Sequence, residues 1–512
     1  MKKITPARGD IFDRNKEPLA MNITNYKLFV EPKKVSEPEK VIMNLDNILH
    51  LGTATLEALI KSDKDWMRIQ DGLSKDLKDK IMGLKMSGIG FEDSPSRYYP
   101  EGSIASHLIG FVGKSFNGED VGNGGIENYY QKDLAGMPGI YKTERDTTGN
   151  AIFSGVQVKI DPEDGRNLVL TIDKTVQMVA KDRLKKGLEK YQADSGCILI
   201  ANPSNMEILA MTCLPDYDPM NYGEFNDSFF NNPAITSAYE PGSIFKPLVM
   251  AAALQEKALK VSDVMDEDGP VTIGEYTIRN WNNQYDGKIS MSKILEKSSN
   301  IGMTYVGSKL GKEKLLSYLD KYGFGKPTNI DLTGEGSGLL KSDDAWYPID
   351  LATASFGQGI LVTPIQMITA FSSLVNGGEL LEPHVVKQFE DSGKTIEVKK
   401  KKIAQVIDKN TSDSIKKMME NVVENGEVKW AKPKGYRIGG KTGTAQIVMS
   451  GKYDAAKTYA SFIGFAPVND PKFVVLVSLQ APKTSTWGSE TAAPLFFEVA
   501  KELLFYYNIS PN

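Results

Sequence analysis

With 512 residues the chain exceeds what one hydrophobic core ordinarily organises, so two or three domains are expected. Hydrophobic residues make up 41% and charged residues 25%, the balance of a globular protein. Lys plus Arg number 61 against 65 Asp plus Glu, which lacks the basic footprint of a nucleic-acid binder. No apolar run reaches the ~18 residues of a membrane span. Met1-Lys2-Lys3 is followed by Ile4-Thr5-Pro6-Ala7-Arg8 rather than the apolar centre of a signal peptide.

In chain order, Asn22 to Val30 reads as a strand ended by Pro32. Thr53 to Met86 has helical spacing, and the Gly, Asn and Pro residues between Gly113 and Gly139 predict long loops. Asp161-Pro162-Glu163-Asp164-Gly165 is turn-rich and suits a domain boundary. A strand from Leu168 to Ile172 and a helix from Lys174 to Tyr191 follow. A hairpin comes next, Gly196 to Ala201 and Met206 to Cys213, turning at Asn202-Pro203-Ser204-Asn205. Helices dominate to about Val423, with the run Lys399 to Lys402 expected as a solvated turn. Three strands (Gly439 to Val448, Tyr459 to Phe465, Lys472 to Leu479) and a helix from Ala492 to Tyr506 close the chain. Strands at both ends of a helical middle predict an α+β domain, an antiparallel sheet flanked by helices.

Three short motifs carry chemistry. In Ser243-Ile244-Phe245-Lys246 the hydroxyl and amine lie three residues apart, on one face at the start of a helix. Glu240-Pro241-Gly242 turns the chain into it, and Pro247 is tolerable in the first turn. A desolvated lysine loses basicity and can take the proton that makes serine nucleophilic. The same spacing recurs at Ser290 to Lys293 and Ser414 to Lys417, so alone it describes an ordinary helix surface equally well. Ser298-Ser299-Asn300 offers a proton relay and a substrate-orienting amide, or simply a helix cap. Lys441-Thr442-Gly443-Thr444, after Gly439-Gly440, would present a cation, hydroxyls and backbone N–H groups to a carboxylate from an edge strand. In this order the three form the signature of penicillin-binding proteins and class A β-lactamases.

The chain resembles class B penicillin-binding proteins beyond those motifs. Arg8-Gly9-Asp10-Ile11-Phe12-Asp13-Arg14-Asn15 with Pro18-Leu19-Ala20, Arg97-Tyr98-Tyr99-Pro100 and His107-Leu108-Ile109-Gly110 resemble the family's N-terminal segments. So do Gly125-Ile126-Glu127 and Gly136-Met137-Pro138-Gly139, while Leu170-Thr171-Ile172-Asp173 and Phe356-Gly357-Gln358-Gly359 resemble parts of its transpeptidase domain. The resemblance implies a non-catalytic, elongated pedestal over residues 1–165 and a transpeptidase over residues 166–512, of the division or sporulation type. It also implies anchoring at the outer face of the cytoplasmic membrane by a helix that is not in this sequence. The implied partners are peptidoglycan stem peptides on lipid-linked glycan strands, β-lactams, and a membrane glycosyltransferase, with no nucleic acid.

By the same resemblance Ser243 attacks the carbonyl between two terminal D-alanines, Lys246 accepts its proton and Ser298 passes it to the leaving D-alanine. The N–H groups of Ser243 and Thr444 form the oxyanion hole. Asn300 holds the donor peptide, and Lys441, Thr442, Gly443 and Thr444 bind its carboxylate. No cofactor is required. Cys197, Cys213 and Asp216 depart from the family pattern, and the hairpin sets the cysteines roughly opposite one another. Buried free thiols, a structural zinc site on the three residues with a histidine, and a disulfide are all open readings. The rival functions are a D,D-carboxypeptidase and a non-enzymatic β-lactam-sensing or scaffolding homologue.

Overall fold

The structure, a computed structural model, describes residues 2–143, 157–449 and 452–511. The terminal residues Met1 and Asn512 lie outside the described residues. The chain divides into two compact units. The first is Met1–Asp10, Pro18–Pro100 and Ala135–Gly165; the second is Ile11–Glu17, Glu101–Leu134 and Arg166–Asn512. The boundary expected at 165 is therefore crossed twice, because residues 11–17 and 101–134 pack with the C-terminal unit.

In the first unit the strand expected from Asn22 is longer, β1 (Pro18–Val30). It pairs antiparallel with β2 (Met67–Leu73) and β3 (Ile89–Tyr98). Helices α1 (Pro38–Leu49), α2 (Thr53–Ile60) and α3 (Lys75–Gly83) pack their apolar faces on this sheet, burying Leu28, Val30, Leu45 and Leu56. The helical stretch expected from Thr53 to Met86 is thus split by β2. Pairing with β1 outweighs the local helical preference there, as tertiary context commonly does.

The second unit holds the α+β core. The predicted helix α4 (Lys174–Tyr191) starts where Asp173 Oδ1 accepts from the N–H groups of Thr175 and Val176, at 3.0 and 3.2 Å. The hairpin is β4 (Ser195–Ala201) and β5 (Ile208–Leu214). Helices α5 (Lys246–Gln255), α6 (Asn300–Leu310), α7 (Pro364–Val375) and α8 (Lys409–Asn425) form the middle. Then come β6 (Gly439–Met449), β7 (Lys452–Ala466), β8 (Phe473–Gln480) and α9 (Ala492–Tyr506). The sheet is antiparallel throughout, in the order β5-β4-β8-β7-β6. Strand β8 is buried along seven of its eight residues, since helices cover both faces. Helices α4 and α9 close one face through Leu184, Phe496 and Phe497 against Phe462 and Val477. Helix α5 lies in the layer on the other side and is buried from Lys246 to Ala253, as befits a helix apolar almost all round.

One further expectation is corrected and another is extended. Between Gly113 and Gly139 the chain forms a hairpin (Phe111–Lys114 with Asp120–Asn123) and two short helices. Glycine-rich segments have little side-chain periodicity, so their backbone pairing is hidden from a pattern reading. The lysine run is solvated as expected, but it leads into a small two-stranded sheet, across which Lys400 and Lys402 pair with Glu379 and Lys401 with Glu382.

The loop after Ala354 abuts the turn that begins at Gly242. Gly242 N donates to Gly357 O at 2.9 Å, and Gly357 has φ +83°. A Cβ there would lie 2.1 Å from Gly242 O. Gly357→Ala should therefore destabilise the chain by about 2–4 kcal/mol, from left-handed strain plus backbone displacement. Gly223→Ala, with open space around it, should stay within about 0.5 kcal/mol. Chemical denaturation of both variants checks this, and equal midpoints would refute it.

Candidate active site

The three motifs converge at the open edge of the sheet. Strand β6 is its terminal strand, as expected, with Gly443 opposite Ser461 and Thr444 opposite Ala460. A Cβ on Gly443 would meet Ser461 Oγ at 2.4 Å, Ile244 Cγ2 at 2.9 Å and Pro241 O at 3.2 Å. Glycine is needed here because the segment carrying Ser243 runs against the strand. Gly488 approaches from the other direction, and its N–H donates to Thr444 Oγ1 at 3.0 Å.

Ser243 stands in a 3-10 turn, Gly242–Phe245, that runs directly into α5 at Lys246. The α-helix thus begins at the lysine and not at the serine. A 3-10 turn nearly eclipses positions i and i+3, so the expected juxtaposition of Ser243 and Lys246 is kept. Lys246 is fully buried. Its Nζ donates to Ser298 O at 2.6 Å, Asn300 Oδ1 at 2.8 Å and Ser298 Oγ at 3.3 Å. Burial, and then the charge of Lys441, hold this amine well below the ordinary lysine range. Deprotonation leaves it a lone pair with which to accept a proton.

Ser298 has φ +55°, an unusual conformation for a residue with a side chain, and is buried. Ser299 caps α6, its Oγ accepting from Gly302 N at 2.7 Å, so the cap reading also holds. Asn300 Nδ2 donates to Arg279 O at 3.0 Å, which fixes its oxygen toward Lys246. Lys441 is buried, its Nζ donating to Thr442 O and Oγ1 at 3.1 Å each, and burial pushes it down to about 8.

A cavity of about 90 Å³ is lined by Ser243, Ser298, Asn300, Thr442 and Thr444 together. Lys246 and Lys441 are buried, and Lys246 reaches Ser298 and Asn300 in that wall. The other two Ser-x-x-Lys segments serve helices only. Ser290 caps one by accepting from Lys293 N, and Ser414 donates to Asn410 O within α8.

Six lining residues escaped the motif reading: Trp281, Glu427, Trp487 and Ser489, with Phe356 and Gln358 quoted only as part of a family segment. The two indoles pack in a tilted pair with centroids 4.9 Å apart though 206 residues separate them, which no local pattern signals. A supporting network was also missed. Buried Glu267 accepts from Asn280 Nδ2 at 3.0 Å and from Ser299 Oγ, while Asn280 Oδ1 accepts from Asn300 N at 2.9 Å.

The metal reading needs correcting for the structure as it stands. Cys197 and Cys213, directly opposite in the β4–β5 ladder, are joined by a disulfide. Their sulfurs are bonded to each other and present no thiolates. Asp216 is ion-paired with Lys181 at 2.5 Å. Among the described residues no cluster of His, Cys, Asp and Glu could hold a metal ion.

Comparison with known proteins agrees with this geometry. Residues 196–501 match the penicillin binding protein transpeptidase domain, and residues 3–170 match the penicillin-binding protein dimerisation domain. Stage V sporulation protein D of Bacillus subtilis (strain 168) is 37% identical, over 99% of this chain and 79% of its own. The peptidoglycan D,D-transpeptidase FtsI of Buchnera aphidicola is 30% identical, over 100% of this chain and 89% of its own. The crystal structure of penicillin binding protein 2X from Streptococcus thermophilus superposes with a TM-score of 0.84 at 25% identity, covering 98% of this chain and 80% of that one. The chain belongs to the class B penicillin-binding proteins.

Proposed function

We propose that this protein is a serine D,D-transpeptidase that cross-links peptidoglycan stem peptides through an acyl-enzyme on Ser243. The observation that carries the reading is the buried amine of Lys246, which joins the segments of Ser243, Ser298 and Asn300. Family membership and relatives named as peptidoglycan D,D-transpeptidases support the same chemistry.

In the reaction Ser243 Oγ attacks the carbonyl of the penultimate D-alanine while neutral Lys246 takes its proton. The N–H groups of Ser243 and Thr444 receive the developing oxyanion. As the C–N bond breaks, that proton passes through Ser298 to the departing D-alanine amine. Lys441, Thr442 and Thr444 hold the terminal carboxylate, and Asn300 orients the donor backbone. An amine from a second stem peptide then attacks the ester, releasing Ser243 and forming the cross-link. A β-lactam follows the first half of this course, its ring amide opening onto Ser243. A membrane glycosyltransferase that extends the strands, and anchoring at the outer face of the membrane, belong to this reading. Among the described residues no helix is long and apolar enough to cross a membrane.

A fluorescent penicillin should add once to the parent chain and not to Ser243→Ala, read by gel and intact mass. Lys246→Met should slow acylation by about 10³-fold or more, since base and hydrogen-bond hub vanish together. Labelling of Ser243→Ala would move the nucleophile elsewhere. Supplied with donor and acceptor stem peptides, the enzyme should release D-alanine and form cross-linked dimers. Hydrolysed donor alone would indicate a carboxypeptidase, and acylation without turnover a sensor.

The second-order acylation rate should be bell-shaped in pH. It climbs as Lys246 loses its proton and falls through about 8 as Lys441 loses the charge that recognises the carboxylate. Lys441→Arg should remove the falling limb, and a rate rising without limit to pH 10 would refute the assignment.

Zinc enters only as a proposal for the reduced chain, in which Cys197 and Cys213 would offer two thiolates and Asp216, three residues beyond Cys213, a carboxylate. Reduced protein titrated with cobalt(II) should then show thiolate charge-transfer absorption that Cys213→Ser abolishes. A reduced chain with no metal bound above background excludes it.

A further inference from the structure

Of the residues lining the cavity at Ser243 only Glu427 is charged, and no step described above uses it. Its backbone is fixed from both sides. Gly426 closes α8, its N–H donating to Val422 O at 2.9 Å. A Cβ on Gly426 would lie 2.3 Å from Val422 O and 3.3 Å from Glu296 O, so the chain is held tightly there. On the other side Val428 is buried in the core. Between these anchors the Glu427 side chain is exposed, with no hydrogen-bond or ion-pair partner among the described residues. Its charge still reaches the two buried lysines. Burial lowers Lys246 and Lys441, and Glu427 opposes that in both.

What such a carboxylate can do follows from what enters the cavity second. By microscopic reversibility the incoming amine takes the place that the D-alanine amine has left, at Ser298. Glu427 and Ser298 line one cavity of only about 90 Å³, so an amine brought to Ser298 comes close to the carboxylate. A lysine-type amine arrives as an ammonium, because its ordinary pKa is about 10.4. A cleft with charge of one sign and low-dielectric walls attracts the opposite charge more strongly than open water does. The faces of Trp281 and Trp487, in the same wall, also favour cations. An acceptor whose amine shares its carbon with a carboxylate brings a second negative charge to the same place and is repelled.

We propose that Glu427 sets the acceptor specificity of this site. It selects a stem peptide whose free amine stands alone, as on a lysine side chain or an amidated diamino acid, over one whose amine carbon bears a carboxylate. The inference rests on the transpeptidase reading above. The bound ammonium sheds one proton to water, and its lone pair attacks the acyl carbonyl. A second proton passes through Ser298 and Lys246 to Ser243 Oγ as the ester C–O bond breaks and the amide C–N bond forms.

The test lets the whole chain partition one donor pentapeptide between water and an acceptor. Two acceptor tripeptides are compared, identical except for lysine or unamidated meso-diaminopimelate at the third position. Mass spectrometry reads the ratio of cross-linked to hydrolysed donor, which is set after acylation and does not depend on its rate. Glu427→Gln keeps the size of an exposed side chain and removes its charge. It should lower the ratio for the lysine acceptor about threefold and raise that for the diaminopimelate acceptor about as much, the weight of one partly solvated charge pair. Glu427→Asp should keep the parental order of the two acceptors. Intrinsic differences between the two amines cancel when variant and parent are compared. Ratios that move together, or do not move, would overturn the role of Glu427. Hydrolysed donor alone with both acceptors would instead sink the transpeptidase reading, and this inference with it.

Discussion

The second unit is arranged around a lysine amine that water does not reach. Leaving an ammonium unpaired in such a place costs several kcal/mol, so the fold must either satisfy it or let it lose its proton. Both occur at Lys246. Ser298 and Asn300 provide acceptors, and burial beside Lys441 favours the neutral form. Those acceptors come from the turn that leads into α6 and from its first residue, so one side chain ties the start of α5 to the start of α6. The left-handed Ser298 is part of the same solution, since this turn brings its carbonyl and hydroxyl onto one amine. Strain of this kind persists only where the surroundings over-determine it. Here Ser299, Asn280 and Glu267 do so from behind.

An exposed strand edge is usually a liability, because its unpaired backbone groups can template association. In β6 the same groups face the cavity that holds Ser243. An extended substrate can add to such an edge through its main chain, with side-chain pockets providing the selectivity. The loop carrying Gly488 and Trp487 narrows access to that edge, and Gly443 lets the serine-bearing turn approach it closely.

What was legible in the sequence follows from which interactions are local. The helix over Lys174 to Tyr191 has its cap, its periodicity and its end within one stretch, and it was read to the residue. The hairpin after it was readable because a turn and two apolar runs adjoin. The catalytic motifs were readable only in combination, since Ser290 and Ser414 carry the same spacing on plain helices. The indole pair Trp281–Trp487 was hidden because its members meet only after the sheet has formed. Strand β2 was hidden because its partner, β1, outweighs its own preference. The cysteines were placed opposite one another correctly, but spacing alone does not decide between thiols, metal and disulfide.

The two edges of the sheet are treated in opposite ways. One register row crosses all five strands, from Cys213 through Cys197, Ser478 and Ser461 to Gly443. Residues directly opposite one another share a face. On it Gly443 meets the turn of Ser243, whereas Cys197 and Ser478 line a separate cavity of about 240 Å³. At the β5 end the row is closed by a covalent bond. At the β6 end it terminates in a residue with no side chain, against which the nucleophile's turn is packed. Between them stand Ser478 and Ser461, 8% and 1% exposed, of which Ser461 lies directly opposite Gly443. A larger side chain at Ser461 would crowd Gly443 and the turn of Ser243 packed against it. Small residues at Ser461 and Gly443 are thus a steric requirement of the turn packed at that end of the row, although only Gly443 belongs to one of the three motifs.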